Sequence, residues 1–264
     1  MQLDSVAIGA GVRLESHESV ASTNAEALER ARLGAPGPLW ITARRQTAGR
    51  GRRGRTWVSE PGNLYATLLL TDPAPPERAP ELSFVAALAV YDAVAEVAPA
   101  LARSVAVKWP NDLLVEAAKV AGILLESESA AGQPLAVAVG IGVNCAHHPD
   151  RTPYPATDLA SAGAPVAPES LFAALSRTML ERLAQWNRGR GFAAIRADWL
   201  AHAAGVGGPV RVVLADQELE GCFETLSHSG HLVLRLSDGT AVTITAGDVF
   251  PLAAAAPPSR ANSA

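Results

Sequence analysis

The stretch VAVKWPNDLLVEAAKVAGILLESESAAGQPLAVAVGIGV, residues 105–143, decides the fold. It holds four runs rich in β-branched and aliphatic residues, Val105–Trp109, Asp112–Val115, Val120–Ser127 and Leu135–Val143, which read as strands joined by tight connections. Three features are unusual for plain strands. Trp109-Pro110 fixes the chain at a strand end, and Asn111-Asp112 then presents an amide and a carboxylate. Lys119 opens an otherwise apolar run, KVAGILLE. Gly140 and Gly142 fall on one face of the last strand, where glycine weakens a sheet unless something must lie against it.

Upstream, Leu64–Thr71 alternates like a strand, Asp72–Pro80 is a proline-rich loop, and Glu81–Val97 has helical periodicity ended by Pro99. Val12–Val20 reads as a strand, followed by Ser22 or Thr23 as N-cap of a helix over Ala25–Leu33. A short strand, Pro38–Ala43, leads into QTAGRGRRGRTW, residues 46–57. Downstream, Pro149–Pro168 is a loop, and Ser170–Trp186 and Phe192–Ala203 are helices. After the break at GVGGP (205–209) come four short alternating segments, Val210–Leu214, Glu218–Leu226, His231–Leu236 and Ala241–Thr245. The division expected is a large first domain over 1–205, a small β-barrel over 206–252 and a disordered tail over 253–264.

The 264 residues are 48% apolar and 18% charged, ample for a hydrophobic core and too apolar for a disordered chain. No secretory signal is visible at the N-terminus, and the longest apolar stretch, Leu82–Ala102, carries Asp92 and Glu96, so no membrane span is expected. Cys145 and Cys222 are lone thiols, which fits a reducing, cytoplasmic setting. The net charge of −4 hides a sharp asymmetry. Six arginines and no acid lie between Arg44 and Arg55, leaving the remainder of the chain at −10. A basic spot on an acidic body suits one small anionic ligand better than nucleic acid, which favours an extended basic face. About twenty residues precede the first motif, where a helix-turn-helix module needs roughly sixty. Of the 22 basic residues, only Lys108 and Lys119 are lysine.

In the arginine loop, Gly49, Gly51 and Gly54 allow the backbone to approach a ligand closely. Arg50, Arg52, Arg53 and Arg55 supply planar forks for carboxylate or phosphate oxygens. Free of ligand, such a loop repels itself and is expected to be mobile. The bland alternative is a solvated surface loop or a flexible nucleic-acid segment. The loop is no Walker A motif, because GxxxxGK[ST] is absent. Pro-Asn-Asp is also favourable chemistry for a plain turn, and Lys119 read alone can simply snorkel to solvent. His147 and His148 lack partners at zinc-like spacing.

Taken together, STN (22–24), QTAGRGRRGRTW (46–57), GNLYATLLL (62–70), VKWPNDL (107–113), KVAGILLE (119–126) and VGIGVN (139–144) closely resemble the biotin protein ligases. The segment from about 209 resembles their SH3-like C-terminal domain, and the chain looks like the ligase-only form without an N-terminal DNA-binding domain. The resemblance implies an α+β fold, with a mixed β-sheet catalytic domain carrying helices on one side, then the small SH3-like β-barrel. It implies a two-step reaction using ATP, Mg2+ and biotin, by way of biotinyl-5′-AMP. The partner implied is the biotin carboxyl carrier domain of an acyl-CoA or pyruvate carboxylase, with no nucleic acid and no membrane. In the family's pattern Ser22, Thr23, Asn24, Gln46, Gly49, Arg50, Gly51, Arg52, Lys119, Gly122 and Gly140 fall at biotin. Arg50, Arg52, Arg55, Trp57, Asn111, Asp112, Lys119 and Asn144 fall at the adenylate. Lys119, Arg52 and Arg50 are the implied catalytic groups. No protein ligand to Mg2+ is implied beyond a place near Asp112. A lipoate or octanoate transferase on the same fold is disfavoured by the arginine loop.

Overall fold

The computed structural model describes residues 1–129, 134–152 and 154–252, so the expected tail over 253–264 lies outside the described residues. The chain forms two compact units, Met1–Ala203 and a second from Ala204 onwards.

The first unit runs α1 (Ser5–Gly9), β1 (Arg13–Val20), α2 (Thr23–Arg32), β2 (Leu39–Gln46), β3 (Leu64–Thr71), α3 (Leu82–Val97), β4 (Val105–Lys108), β5 (Asp112–Val115), β6 (Ala118–Glu128), β7 (Ala136–Val143), α4 (Pro168–Trp186) and α5 (Phe192–Ala201). Its strands form one seven-stranded sheet in the order β1-β2-β3-β7-β6-β5-β4. β1 and β2 are parallel and every other neighbouring pair is antiparallel, which makes the sheet mixed. The parallel pair explains α2, because returning the chain to start β2 beside β1 requires a crossover. Ser22 is the N-cap of α2, with extended backbone and no cap bond from its side chain; Glu26 lies in the first turn and Arg30 and Arg32 in the last, the signs the helix dipole favours. The sequence reading placed no element at α1, a single turn started by Asp4, whose carboxylate accepts from the Val6 N–H at 2.8 Å.

β2 and β3 are buried on both faces along most of their length. Neighbouring strand residues point to opposite faces. Trp40 meets Phe172 of α4 edge-on at 5.4 Å. Leu39 and Ile41, beside it, pack instead with Ala27 and Leu28 of α2, Leu69 of β3 and Ala136 and Ala138 of β7. α3 and α5 join α4's layer through Phe84, which meets Phe192 at 5.6 Å and Trp199 at 5.5 Å. The three C-terminal helices thus lie on one side, as expected, while α2 covers part of the opposite face.

The second unit is a five-stranded antiparallel sheet of β8 (Pro209–Val213), β9 (Glu218–Leu226), β10 (Leu232–Arg235), β11 (Ala241–Ile244) and β12 (Asp248–Pro251), ordered β11-β10-β9-β8-β12. Val210, Val212, Phe223, Leu226, Leu232, Leu234, Ile244 and Val249 are among its buried residues, and in β8 and β10 they alternate as a half-buried strand demands. β12 is additional to the four strands read from the sequence. Among the described residues no helix is long and apolar enough to cross a membrane.

Candidate active site

Strand register builds the floor of the site. Lys108 pairs with Asp112, Asp112 with Gly122, and Gly122 with Gly142, so four residues from four adjacent strands form one row on one face. The two glycines leave a trough in that row, and the indole of Trp57 lies in it. A Cβ on Gly142 would fall 2.6 Å from Trp57 Cε2, and one on Gly122 would fall 3.2 Å from Trp57 Cζ3.

Lys119 reaches this face by an irregularity. It stands three residues from Gly122, which in a regular strand would place the two on opposite faces. The register shifts between Leu113 and Leu114, where Leu113 pairs with Ala121 but Leu114 with Lys119, skipping Val120. This bulge re-aims the lysine. Its Nζ lies 2.6 Å from Asp112 Oδ1, while Lys108 Nζ lies 3.7 Å from Asp112 Oδ2. All three side chains are largely buried, and one carboxylate facing two ammoniums offsets part of the desolvation cost. Lys119 Nζ is also 5.4 Å from the ring centres of Trp57 and Tyr154, within cation–π range.

The arginine loop folds back on itself above this row. Arg50 bridges Thr56, the Trp57 N–H donates to Gly49 O at 2.9 Å, and the Gly51 N–H donates to Arg55 O at 2.6 Å. A Cβ at Gly49 would lie 2.5 Å from Trp57 O, so the stem closes only around glycine. At Gly51 a Cβ would make ordinary contact. Arg52 Nη1 donates to Asn111 Oδ1 at 3.1 Å, and the Asn111 amide donates in turn to Ile123 O. Arg50 Nη2 donates to Glu126.

A second, buried polar cluster sits where β2 ends and α2 begins. Gln46 Oε1 accepts from the Thr23 N–H at 2.9 Å and its hydroxyl at 3.1 Å, and Gln46 Nε2 donates to Ser59 Oγ at 3.0 Å. The Thr67 hydroxyl lies 2.7 Å from Asn24 Oδ1, and Asn24 Nδ2 donates to Glu126 Oε2 at 2.8 Å. The space over Gly140 is taken by Asn24, whose Oδ1 would lie 2.2 Å from a Cβ there. That glycine therefore admits the asparagine side chain rather than standing open.

A cavity of about 360 Å³ adjoins Trp57 and Lys119. Its walls include Arg55, Asn144, Arg151 and Tyr154. The chain after β7 forms one side. The Lys119 N–H donates to Pro155 O at 2.8 Å, the Thr157 N–H donates to Lys119 O at 2.9 Å, and Asn144 Nδ2 donates to Thr157 O at 3.0 Å. Asn63, in the GNLY motif, anchors the start of that segment by accepting from the Cys145 and Ala146 N–H groups. His148 Nδ1 pairs with Asp158 at 2.5 Å. Burial pushes the Cys145 thiol up to about 12, which leaves it a packing residue. Among the described residues no group of three or more His, Cys, Asp or Glu side chains is placed to hold a metal.

The fold therefore brings Ser22, Thr23, Asn24 and Gln46 together at one end, and Trp57, Arg52, Asn111, Asp112, Lys119 and Gly122 at the other. Sequence reasoning passed over Thr67, Ser59, Asn63, Glu126, Arg151 and Tyr154.

Residues 17–144 match the biotin/lipoate A/B protein ligase family and residues 206–250 the biotin protein ligase C-terminal domain. The biotin–[acetyl-CoA-carboxylase] ligase of Paracoccus denitrificans is 46% identical over 236 residues, 87% of this chain and 96% of that protein. The chain belongs to the biotin protein ligase family. The corresponding ligase of Mycobacterium tuberculosis is 34% identical over 93% of this chain and 92% of its own length. Among solved structures, the biotin protein ligase of Aquifex aeolicus in complex with biotin and ATP superposes with a TM-score of 0.73 at 26% identity, covering 92% of this chain and 99% of that one. In this chain the arginine loop, the lysine-bearing strand and the glycine floor meet in one trough.

Proposed function

We propose that the protein is an ATP-dependent biotin protein ligase, which makes biotinyl-5′-AMP and passes biotin to a specific lysine of a biotin carboxyl carrier domain. The observation that carries this reading is the trough itself. A glycine floor roofed by Trp57 runs between a buried polar cluster and a cationic end made of Arg52 and Lys119.

Biotin's ureido ring needs short polar partners, and Ser22, Thr23 and Gln46 supply them, with Asn24 behind. Gly51 leaves open backbone for the bicyclic ring and valeryl chain to approach, Gly49 lets the loop stem close, Gly122 seats Trp57 and Lys119, and Gly140 serves by seating Asn24. At the other end a carboxylate oxygen attacks the α-phosphorus of ATP, the bond to the β-phosphate side breaks, and pyrophosphate leaves with the electron pair. Two anions must meet for this, and Arg52 and Lys119 neutralise the charge that gathers, while Arg50, the third cation expected there, turns to Glu126 at the α2 end. Arg55, Trp57, Asn111 and Asn144 belong to the adenylate side. The acceptor's neutral amine then attacks the acyl carbon, AMP departs, and the amine's proton goes to solvent. A closed loop shields the hydrolysable anhydride between these steps.

Mg2+ comes with ATP's own phosphates. Asp112 already faces two ammoniums and offers that ion no uncompensated carboxylate, so a magnesium seat at Asp112 is not part of the proposal. Acyl-CoA or pyruvate carboxylases are the source of the carrier domain, and the cytoplasm is the setting. Radiolabelled biotin and ATP, incubated with the protein and a carrier domain, should put label on the carrier with release of pyrophosphate and AMP. A folded protein that leaves the carrier unlabelled would falsify the reading.

A further inference from the structure

Two segments distant in the chain converge on one carboxylate. Glu126, on β6, accepts on Oε2 from Asn24 Nδ2 at 2.8 Å, and Arg50 Nη2 lies 3.0 Å from its Oε1 and 3.1 Å from its Oε2. Asn24 belongs to the first turn of α2, where it also donates to Leu124 O and receives Thr67. Arg50 stands at the stem of the arginine loop, in the bridge with Thr56. We propose that Glu126 is a positioning residue that latches the arginine loop against the α2 end of the site and so sets how well the adenylate is sealed in. This rests on the ligase reading given above.

Charge makes the latch necessary. The loop and the strand end before it gather six arginines, which repel one another in the absence of an anion. The two arginines of the strand end before the loop are held only weakly by their acids. Arg44 reaches Glu18 at 3.8 Å and Arg45 reaches Glu60 at 3.3 Å, with all four side chains at least half exposed. Exposed pairs of that kind contribute little. The Glu126 side chain is only 29% exposed and is already fixed by Asn24, so less side-chain freedom is lost when Arg50 docks on it. One contact of the loop to the β5 side, from Arg52, is to Asn111, a neutral amide. Glu126 thus supplies a charged fastener at the other end, and it joins the loop to the same α2 turn that lines the polar cluster.

The test compares the full-length protein with Glu126→Gln, which keeps an acceptor for Asn24 but removes the charge, and with Glu126→Asp, which restores charge on a shorter arm. Trypsin cleavage after the loop arginines, without ligand, should be about 2- to 5-fold faster in E126Q, as expected for loss of a half-exposed pair. KM for biotin, and biotin appearing on added serum albumin without carrier, should rise by a similar factor while kcat for carrier transfer holds. E126D should recover part of each effect, and 1 M NaCl should bring the wild type towards E126Q. Loop cleavage of E126Q at the wild-type rate overturns the proposal. So does faster cleavage throughout the chain with a lowered Tm, which marks a merely structural role. If the wild type makes no biotinyl-5′-AMP, the ligase reading fails, and the trypsin arm still decides the latch.

Discussion

Lys119 shows what a single ammonium contributes here that a guanidinium does not. It lies 2.6 Å from Asp112 and 5.4 Å from the rings of Trp57 and Tyr154, a space sized for a compact point charge. Lys119→Arg should fold normally yet lose adenylation by roughly 10²–10³, the usual cost of removing one donor from developing charge. Biotin-dependent ATP–pyrophosphate exchange measures it, and near-normal exchange would show the role is misassigned. Lys119 was legible in the sequence because lysine is scarce and because the motif is specific. Glu126 and Tyr154 were not. Glu126 reads as the polar end of a strand, and its partners stand 102 and 76 residues away. Tyr154 lies in a proline-rich segment with no period to place it.

At the scale of elements, strand existence was readable from periodicity, since β3 and β5 carry their apolar runs on the predicted residues. What periodicity concealed is the bulge at Val120, because a period of 2 puts Lys119 and Gly122 on opposite faces. The shared row of Gly122 and Gly142 was equally hidden, since register across strands is a tertiary property. That row gives a direct test. Gly142→Ala forces a methyl to within 2.6 Å of the Trp57 indole, and such overpacking costs about 1–3 kcal/mol. The variant should stay folded while KM for biotin rises at least about fivefold, with altered tryptophan fluorescence. An unchanged KM would show that Trp57 need not lie in the trough. The segment after β7 depends on a different device. Burial alone would raise the Asp158 carboxyl, but the N–H and hydroxyl of Ser161 and the ring of His148 outweigh it and hold it below the usual carboxylate range. A depressed value stabilises the fold above the unfolded value of about 3.9, and this contribution is lost as pH falls through the folded one. Asp158→Asn should therefore lower stability by about 1–3 kcal/mol near neutrality, with the gap to wild type closing below about pH 4 in denaturant titrations. A gap constant from pH 7 to pH 3 would exclude that ionisation as its source.

Over the whole molecule, the placement of lysine matters more than its number. Only two of the 22 basic residues are lysine, and both lie in the site with side chains 11% and 13% exposed, facing one carboxylate. Everywhere else the positive charge is guanidinium, which stays protonated and makes a poor nucleophile. A protein that builds a lysine-reactive anhydride thus offers it almost no amine of its own beyond the α-amino group. Incubated with biotin and ATP but no carrier, the enzyme should remain unmodified by intact-mass spectrometry except at that terminus. Arg44→Lys, at a side chain 66% exposed beside the loop, should create a labelled residue without altering adenylation. Composition alone could not distinguish a general scarcity of lysine from a surface free of it, and the structure can, because it puts both lysines beside the Tyr154 ring and Lys119 beside Trp57 as well. Heavy labelling of Lys108 in the wild type would sink the idea, since that lysine would then be reachable in spite of its burial. Labelling at position 44 in the R44K variant, together with a silent Lys108, would establish that access, not sequence, decides which amines the adenylate finds.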